Sequence, residues 1–324
     1  MKTYQIPQTD LETSRIAYGT WHLGGGWDNE PPTQEIKDRA DRLIHAAVDS
    51  GITLIDLADI YTRGKSDKVV GYVIKNDPSL RDKVLLQEKC GIRFGDDPNP
   101  GDPGRYDFSS QHIIRSVETC LDRLNTDHVD ILLLHRPDPL VEPEEVARAF
   151  DELLNSGKVR YFGVSNHTGM QIELLKKHVS QPLVINQIEL NLLHNDLVND
   201  GIMANTERAR YTGARDTLDY CRVNDIMVQA WSPVAGGSLF SPGDDAPDNV
   251  KSAAAEIARL AEKHKTSKEA VALAWLLRHP APIQPILGTR NVQRMADSVR
   301  ADTLELSREE WYGLLAAANG AGVP

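Results

Sequence analysis

Beyond an N-terminal stretch that reads as a hairpin, short apolar runs rich in β-branched residues alternate with longer segments of helical period almost to the end of the chain. The strand-like runs are RIAYGT (15–20), TLIDLA (53–58), VLLQEK (84–89), VDILLLH (129–135), VRYFGVS (159–165), LVINQIE (183–189), IMVQAWS (226–232) and IQPILGT (283–289). Between them lie amphipathic patterns such as SSQHIIRSVETCLDRL (109–124), with Ser109 placed to cap its start, and EEVARAFDELLNSGK (144–158), closed by Gly157. Strand candidates that are each followed by helix or loop predict a parallel sheet covered by helices. Their number, eight, favours closure into a TIM-type (β/α)8 barrel, here a single domain over 1–324. A doubly wound dinucleotide-binding sheet is the rival, but no strand run is followed by G-x-G-x-x-G opening a helix. LGGGW (23–27) lacks that spacing and leads into a proline pair.

Three connections are long for a compact domain: 94–108, 195–216 and 234–249. Each follows a strand run, so on a barrel they belong to the C-terminal face, where active sites sit. Composition narrows the partner. A 40% hydrophobic and 26% charged chain has the make-up of an ordinary globular protein, and its net charge of −11, with basic residues scattered among acidic ones, gives no footing to a nucleic acid or an anionic membrane. A small molecule is the expected partner. The three cysteines, Cys90, Cys120 and Cys221, are odd in number and far apart, which argues for a reducing compartment. With neither a signal-peptide core nor a run of apolar residues long enough for a membrane span, the expected location is the cytoplasm. The glycosylation-like triplet Asn166-His167-Thr168 is then a chance match.

The stretch LIDLADIYTRGKSD (54–67) sets an acid and a phenol at the end of an apolar run. Its GKS resembles the tail of a phosphate-binding loop, yet Asp59 stands where that loop needs glycine. Asp56, Lys89 and His135 fall at or just past the C-terminal ends of the second, third and fourth strand runs, with Tyr61 in the loop after the second, so they should converge at one mouth. Singly, each has an ordinary structural explanation. Together they make a chemical unit. A phenol, with a free pKa of roughly 10, donates its proton poorly until a cation stabilises the phenolate. Lys89 would supply that cation, Asp56 would keep the lysine charged, and His135 would orient a carbonyl oxygen towards Tyr61 as general acid. A carbonyl protonated at oxygen must take a hydride at carbon, which no side chain gives, so the quartet demands a cofactor.

GTW (19–21), GITLIDLADIY (51–61), QEKCG (87–91) and LLLHRPD (132–138), in this order and spacing, resemble the tetrad segments of the aldo-keto reductases, nicotinamide-dependent (β/α)8 enzymes, and the resemblance runs over nearly the whole chain. It implies Asp56, Tyr61, Lys89 and His135 as the catalytic tetrad, with Gly19, Thr20 and Trp21 bordering the cofactor, and no metal. GVSNH (163–167) and NQIE (186–189) are similar to the segments that hold the nicotinamide carboxamide, implying Ser165, Asn166 and Gln187. AWSPVAGG (230–237) implies Trp231 as the ring-stacking aromatic, with Ser232, Gly236 and Gly237 near the pyrophosphate. GTRNVQRMADS (288–298) resembles the segment for the adenosine 2'-phosphate, implying Gly288, Thr289, Arg290, Asn291 and Arg294. Some relatives carry lysine at the place of Gly288, and Arg290 would compensate, so NADPH is expected over NADH. The tryptophan at 231 suggests the bacterial-type branch. The hairpin from Thr3 to Ser14 looks like the family's plug of the barrel bottom.

Two rivals stand beside a carbonyl reductase. Lys89 would form a Schiff base in an aldolase, if its charge were lost. Some relatives of the family serve as cofactor-occupied regulatory subunits of ion channels, although no additional N-terminal module is expected here. The substrate pocket should involve Trp21 and the loops after Lys89, Gln187 and Trp231, which admits aldehydes and α-dicarbonyls alike. Arg136 would face an anionic substrate or pair with Asp138, and the pairing is the simpler expectation. Cys90 beside Lys89 invites a redox role, but neighbours on a strand point to opposite faces. Family habit suggests a monomer.

Overall fold

The computed structural model describes residues 1–203 and 216–322. The chain begins with an antiparallel hairpin, β1 (Thr3–Gln5) and β2 (Glu12–Ser14), and continues into β3 (Ala17–Gly19), β4 (Leu54–Asp56), β5 (Leu85–Cys90), a two-residue hairpin of β6 (Ile92–Arg93) and β7 (Arg105–Tyr106), β8 (Val129–Leu134), β9 (Val159–Ser165), β10 (Leu183–Glu189), β11 (Met227–Trp231) and β12 (Ile283–Leu287). Strands β3, β4, β5, β8, β9, β10, β11 and β12 close into an eight-stranded parallel barrel, so every run read as a strand takes its place in it. Their partners are α1 (Gln34–Asp49), α2 (Lys65–Asn76), α3 (Ser110–Leu124), α4 (Pro143–Asn155), α5 (Gly169–Lys176), α6 (Asp196–Met203), α7 (Thr217–Val223), α8 (Asp248–Lys263), α9 (Lys268–Leu277), α10 (Val292–Val299) and α11 (Arg308–Asn319). Ser109 does cap α3, its hydroxyl accepting the His112 N–H. Among the described residues no helix is long and apolar enough to cross a membrane.

The hairpin seals the barrel bottom. Ile6 and Leu11 from its turn are buried against Ala17, Leu54, Ile131, Leu133, Ile185 and Ile286, which point inward from the strands. The outward-facing residues of the same strands pack under the helices, where Phe150 of α4 stacks on Phe162 of β9 at 4.0 Å. One long connection differs from expectation. Within 195–216, Asp196–Met203 is helical rather than loop, a segment of only two turns, with Asn199 and Gly201 inside it, too short to announce a helical period; 204–215 lie outside the described residues. The connection 94–108 likewise carries β7, paired back onto β6.

Helices α2 and α3 approach closely at Gly71, where an added Cβ would lie 2.0 Å from the Arg123 carbonyl oxygen and 2.8 Å from Leu124 backbone atoms. Beside this contact, Asp67 of α2, Glu88 of β5 and Cys120 of α3 bring their ligand atoms within 4.8 Å of one another, with Asp59 close by in the loop after β4. The nearby cation Arg123 donates to Asp67 Oδ2 at 3.3 Å and to the Asp59 carbonyl at 3.0 Å, while Lys89 turns into the barrel. Among the described residues, Asp67 Oδ1, Glu88 Oε2 and Asp59 Oδ1 are buried without hydrogen-bond partners. Burial pushes the Asp67 carboxyl up to about 7 against the pull of the Arg123 and Lys89 charges, and burial with repulsion from Asp67 and Asp59 pushes Glu88 well up, so both hold protons at pH values where free carboxyls have lost them.

Two outcomes follow from this packing. Gly71→Ala forces backbone apart and should cost about 2–3 kcal/mol, read as a lower thermal midpoint; an unchanged midpoint means the helices can separate freely. The folded carboxyls keep protons that the unfolded chain releases above its ordinary carboxylate pKa, so raising the pH favours unfolding. Thermal stability should fall on the order of 2 kcal/mol between about pH 4, where the unfolded carboxyl ionises, and about pH 7, where the folded Asp67 does, and Asp67→Asn, which removes that proton, should flatten the fall; equal slopes for the two proteins would show that Asp67 is ionised when folded.

Candidate active site

The barrel interior changes from apolar to polar towards its C-terminal mouth. Gln284 of β12 donates to Thr13 Oγ1 (3.1 Å) and to the Ser14 carbonyl (2.6 Å) of the hairpin. Gln229 of β11 donates to Gln284 Oε1 at 2.8 Å and to Gln87 Oε1 at 3.0 Å. Gln87 and Gln187, from β5 and β10, donate in turn to Asp56 Oδ1 at 2.7 and 2.8 Å. That same oxygen accepts Lys89 Nζ at 2.5 Å, forming a fully buried ion pair. Lone pairs and protons that burial would strand are thus met by a continuous line of amides. This ladder was not anticipated from the sequence; its signal is a glutamine recurring in four strand runs, at 87, 187, 229 and 284.

Tyr61 lies above the pair, its ring centroid 4.9 Å from Lys89 Nζ and 5.9 Å from the His135 ring. The segment that carries it bends sharply: Thr62, Arg63 and Gly64 all have left-handed φ, of 47°, 58° and 77°. Gly64 suits such a backbone, and its place could not take a Cβ, which would meet the Arg123 guanidinium at 2.4 Å. The four residues read from the sequence as one unit are therefore brought together. One electrostatic expectation is reversed in the free site. Burial, with Asp56 and Glu88, pushes the Tyr61 phenol well up rather than down, against a smaller opposite effect of the Arg136 charge. Tyr61 is thus held fully protonated. His135 is pushed well below the usual histidine range by burial and by the charges of Lys89 and Arg136, so its ring is neutral.

The other singled-out residues separate into three places. Gly19 lies against the pair, where a Cβ would come 2.8 Å from Ile286 and 3.8 Å from Asp56 Oδ2; Thr20 is buried, its hydroxyl donating to the Asp56 carbonyl at 3.0 Å. Trp21 is 42% exposed and meets Tyr61 edge-on at 5.0 Å, with Trp27 4.9 Å beyond it. Ser165, Asn166 and Gln187 form one cluster with Trp231. Asn166 donates to the His135 carbonyl (3.2 Å) and to Ser165 Oγ (2.9 Å) and accepts Trp231 Nε1–H (3.0 Å), while Ser165 donates to the Gln187 carbonyl (2.8 Å). Ser232, Gly236 and Gly237 follow with φ of 54°, 64° and 95°, and a Cβ at either glycine would meet nothing within 4 Å. At the end of β12, Gly288 is exposed, and Thr289 Oγ1 accepts the Asn291 N–H. Asn291 caps α10 by accepting the Arg294 N–H at 3.1 Å, and the guanidiniums of Arg290 and Arg294 are exposed without side-chain partners among the described residues.

Two further readings are settled by position. Arg136 does not pair with Asp138. That carboxylate accepts the Phe108 and Leu140 N–H groups, so it closes its own loop, and the Arg136 guanidinium lies over the Trp231 ring at 5.6 Å. Cys90 is buried under the helices, where burial, Asp59 and Glu88 push its thiol up, so the Lys89 ammonium on the opposite face does not activate it.

Comparison with known proteins gives one answer throughout. The chain is 38% identical over 314 residues to a 6-dehydroglucose reductase of Agrobacterium fabrum (strain C58), covering 97% of each chain, and 37% identical to the oxidoreductase YdhF of Escherichia coli (strain K12), covering 97% of this chain and 96% of that one. Among solved structures it resembles the glycerol dehydrogenase AKR11B4 of Gluconobacter oxydans, with a TM-score of 0.80 at 28% identity over 97% and 95% of the two chains. A thermostable aldo-keto reductase, Tm1743, superposes with a TM-score of 0.75 at 25% identity over 98% and 100%. The profile of the Aldo/keto reductase family matches residues 15–318, which include all four residues at the mouth, and the chain belongs to that family of oxidoreductases.

Proposed function

We propose that the protein reduces an aldehyde or ketone to the alcohol with NADPH, and that Tyr61 is the general acid. The observation that carries this reading is the stack of Asp56, Lys89 and Tyr61 beside a neutral His135 at the barrel mouth. When bound, the nicotinamide supplies the hydride that the carbonyl carbon needs. The chain supplies the rest. The neutral imidazole of His135 offers an N–H to the carbonyl oxygen and fixes its direction towards Tyr61. Tyr61 holds its proton until negative charge develops on that oxygen, then transfers it, and the nearby ammonium of Lys89 stabilises the phenolate left behind. Asp56, with three donors on one oxygen, keeps Lys89 in place and charged. The same pair opposes a Schiff-base reading, because an ammonium in a 2.5 Å contact with a carboxylate is no nucleophile.

The residues present fit a dinucleotide. Trp231 has a ring to stack on, beside the amide and hydroxyl groups of Ser165, Asn166 and Gln187. The left-handed run at Ser232, Gly236 and Gly237 leaves an exposed backbone unobstructed by side chains, suited to a pyrophosphate. Unpaired and exposed, Arg290 and Arg294 support a 2'-phosphate and hence NADPH. Gly288, Thr289 and Asn291 shape the turn that presents them.

Tyr61→Phe keeps the ring and removes the proton. It should lower kcat by about 10²–10⁴ with aldehydes while the Kd for NADPH changes less than about threefold; near-normal turnover would remove Tyr61 as the acid. Arg294→Ala should raise the KM for NADPH by about 10- to 100-fold and leave that for NADH nearly unchanged, as expected for loss of one charge-assisted contact. Equal effects on the two cofactors would place the 2'-phosphate elsewhere.

A further inference from the structure

Arg136 is a cation at the barrel mouth that has no counter-ion among the described residues. It follows His135 directly at the end of β8 and is half-buried. Among the described residues its guanidinium has no hydrogen-bond or salt-bridge partner, and the face of Trp231 at 5.6 Å is its neighbour. The other cations nearby are engaged. Lys89 is paired with Asp56, and Arg63 donates to the Trp27 carbonyl at 2.8 Å while lying over Phe94 at 4.7 Å. The nearest carboxylates do not pair with Arg136 among the described residues: Asp56 takes three donors on one oxygen, Asp138 accepts two backbone N–H groups, and Glu189, at the end of β10 beside Trp231, forms no ion pair with it. Yet its charge reaches the reacting groups, drawing the Tyr61 phenol down and the His135 imidazole down with it.

A guanidinium carries five N–H donors in a planar fork that matches the two oxygens of a carboxylate, and a partly desolvated one without an anion is costly to maintain. Its place fixes where such an anion would sit. Arg136 is one residue from His135, whose ring is 5.9 Å from that of Tyr61, so the anion lies a few bonds from the carbonyl that Tyr61 protonates. Trp21, which meets the Tyr61 ring, and Trp27 beyond it would flank the intervening carbons.

We propose that Arg136 determines specificity by receiving a carboxylate carried on the carbonyl substrate, so that oxo acids and aldehydo acids are preferred over neutral aldehydes of the same shape. The inference rests on the reductase reading above and adds the substrate class. No covalent step changes. The carboxylate remains bound as a spectator while hydride reaches the carbonyl carbon and the Tyr61 proton its oxygen.

Matched pairs test it: succinic semialdehyde against butanal, and 4-carboxybenzaldehyde against 4-methylbenzaldehyde, each measured as kcat/KM with saturating NADPH. The wild type should favour the carboxylate member of at least one pair by tenfold or more. Arg136→Met should collapse that ratio at least tenfold whatever happens to the absolute rates, and Arg136→Lys, which keeps the charge without the fork, should retain an intermediate ratio. Reduction of neutral and carboxylated aldehydes alike by the wild type, or a ratio unchanged in Arg136→Met, overturns the inference and leaves the reductase reading standing. A changed NADPH KM with an unchanged ratio also overturns it, by assigning Arg136 to the cofactor. If no aldehyde of either kind consumes NADPH, the reductase reading fails by itself. Calorimetric titration of the cofactor-loaded protein with benzoate then decides the inference: a Kd at least tenfold weaker in Arg136→Met supports it, and equal binding overturns it.

Discussion

The buried contact between Lys89 and Asp56 constrains most of what surrounds it. Two charges inside a barrel lose their hydration, and their mutual attraction offsets that loss only when every remaining donor and acceptor is met. Here one carboxylate oxygen collects an ammonium and two amides, and the amides are held by further glutamines down to the hairpin under the barrel. The hairpin is therefore more than an apolar stopper. Through Gln284 and Gln229 its backbone anchors the lower end of the polar line whose upper end fixes Lys89. Gly19 belongs to the same constraint, since a side chain there would crowd Ile286 beside the Asp56 carboxylate.

Strand β5 shows how one run of sequence serves two environments. Gln87 and Lys89 point into the barrel and find ionic and amide partners. Glu88 and Cys90 point out under the helices, where Glu88 Oε1 accepts the Lys89 N–H, Oε2 has no partner among the described residues, and the carboxyl lies close to Asp67 and Cys120. The two faces neutralise charge differently. Inside, opposite charges are paired; outside, protons are retained on carboxyls that burial has pushed up. That difference keeps a second carboxyl cluster, immediately behind Lys89, from competing with Asp56 for its charge.

At the mouth, orientation is enforced by backbone as much as by side chains. Three consecutive left-handed residues after Tyr61 turn the chain so that the phenol faces His135 and Lys89, and Arg63 within that turn is tied to the loops that carry Trp27 and Phe94. On the other wall, Asn166, itself left-handed, links the His135 carbonyl to the Trp231 indole. The Tyr61 side and the Trp231 side of the mouth thus share His135 as their common boundary.

Alternation of apolar runs with helical periods determined the barrel from sequence alone, because eight β-branched runs separated by amphipathic segments admit few other closed arrangements. Asp56, Lys89 and His135 were legible for the same reason, each lying at or just past a strand end, with Tyr61 in the loop after β4, and strand ends of a parallel barrel meet. The 196–203 helix was not legible, being too short to show a period. Nor were the glutamine ladder, the outward carboxyl cluster or the fate of Arg136. A glutamine, a glutamate or an arginine in a strand run says nothing of its partner, which comes from a strand or helix tens of residues away. Sequence nearness even misled, since Arg136 and Asp138 are neighbours in the chain but turn to different partners. The sequence by itself determined which side chains reach the mouth; only closure of the barrel decided which charges are paired there, which are protonated and which are left free, because those depend on burial and distance across the fold.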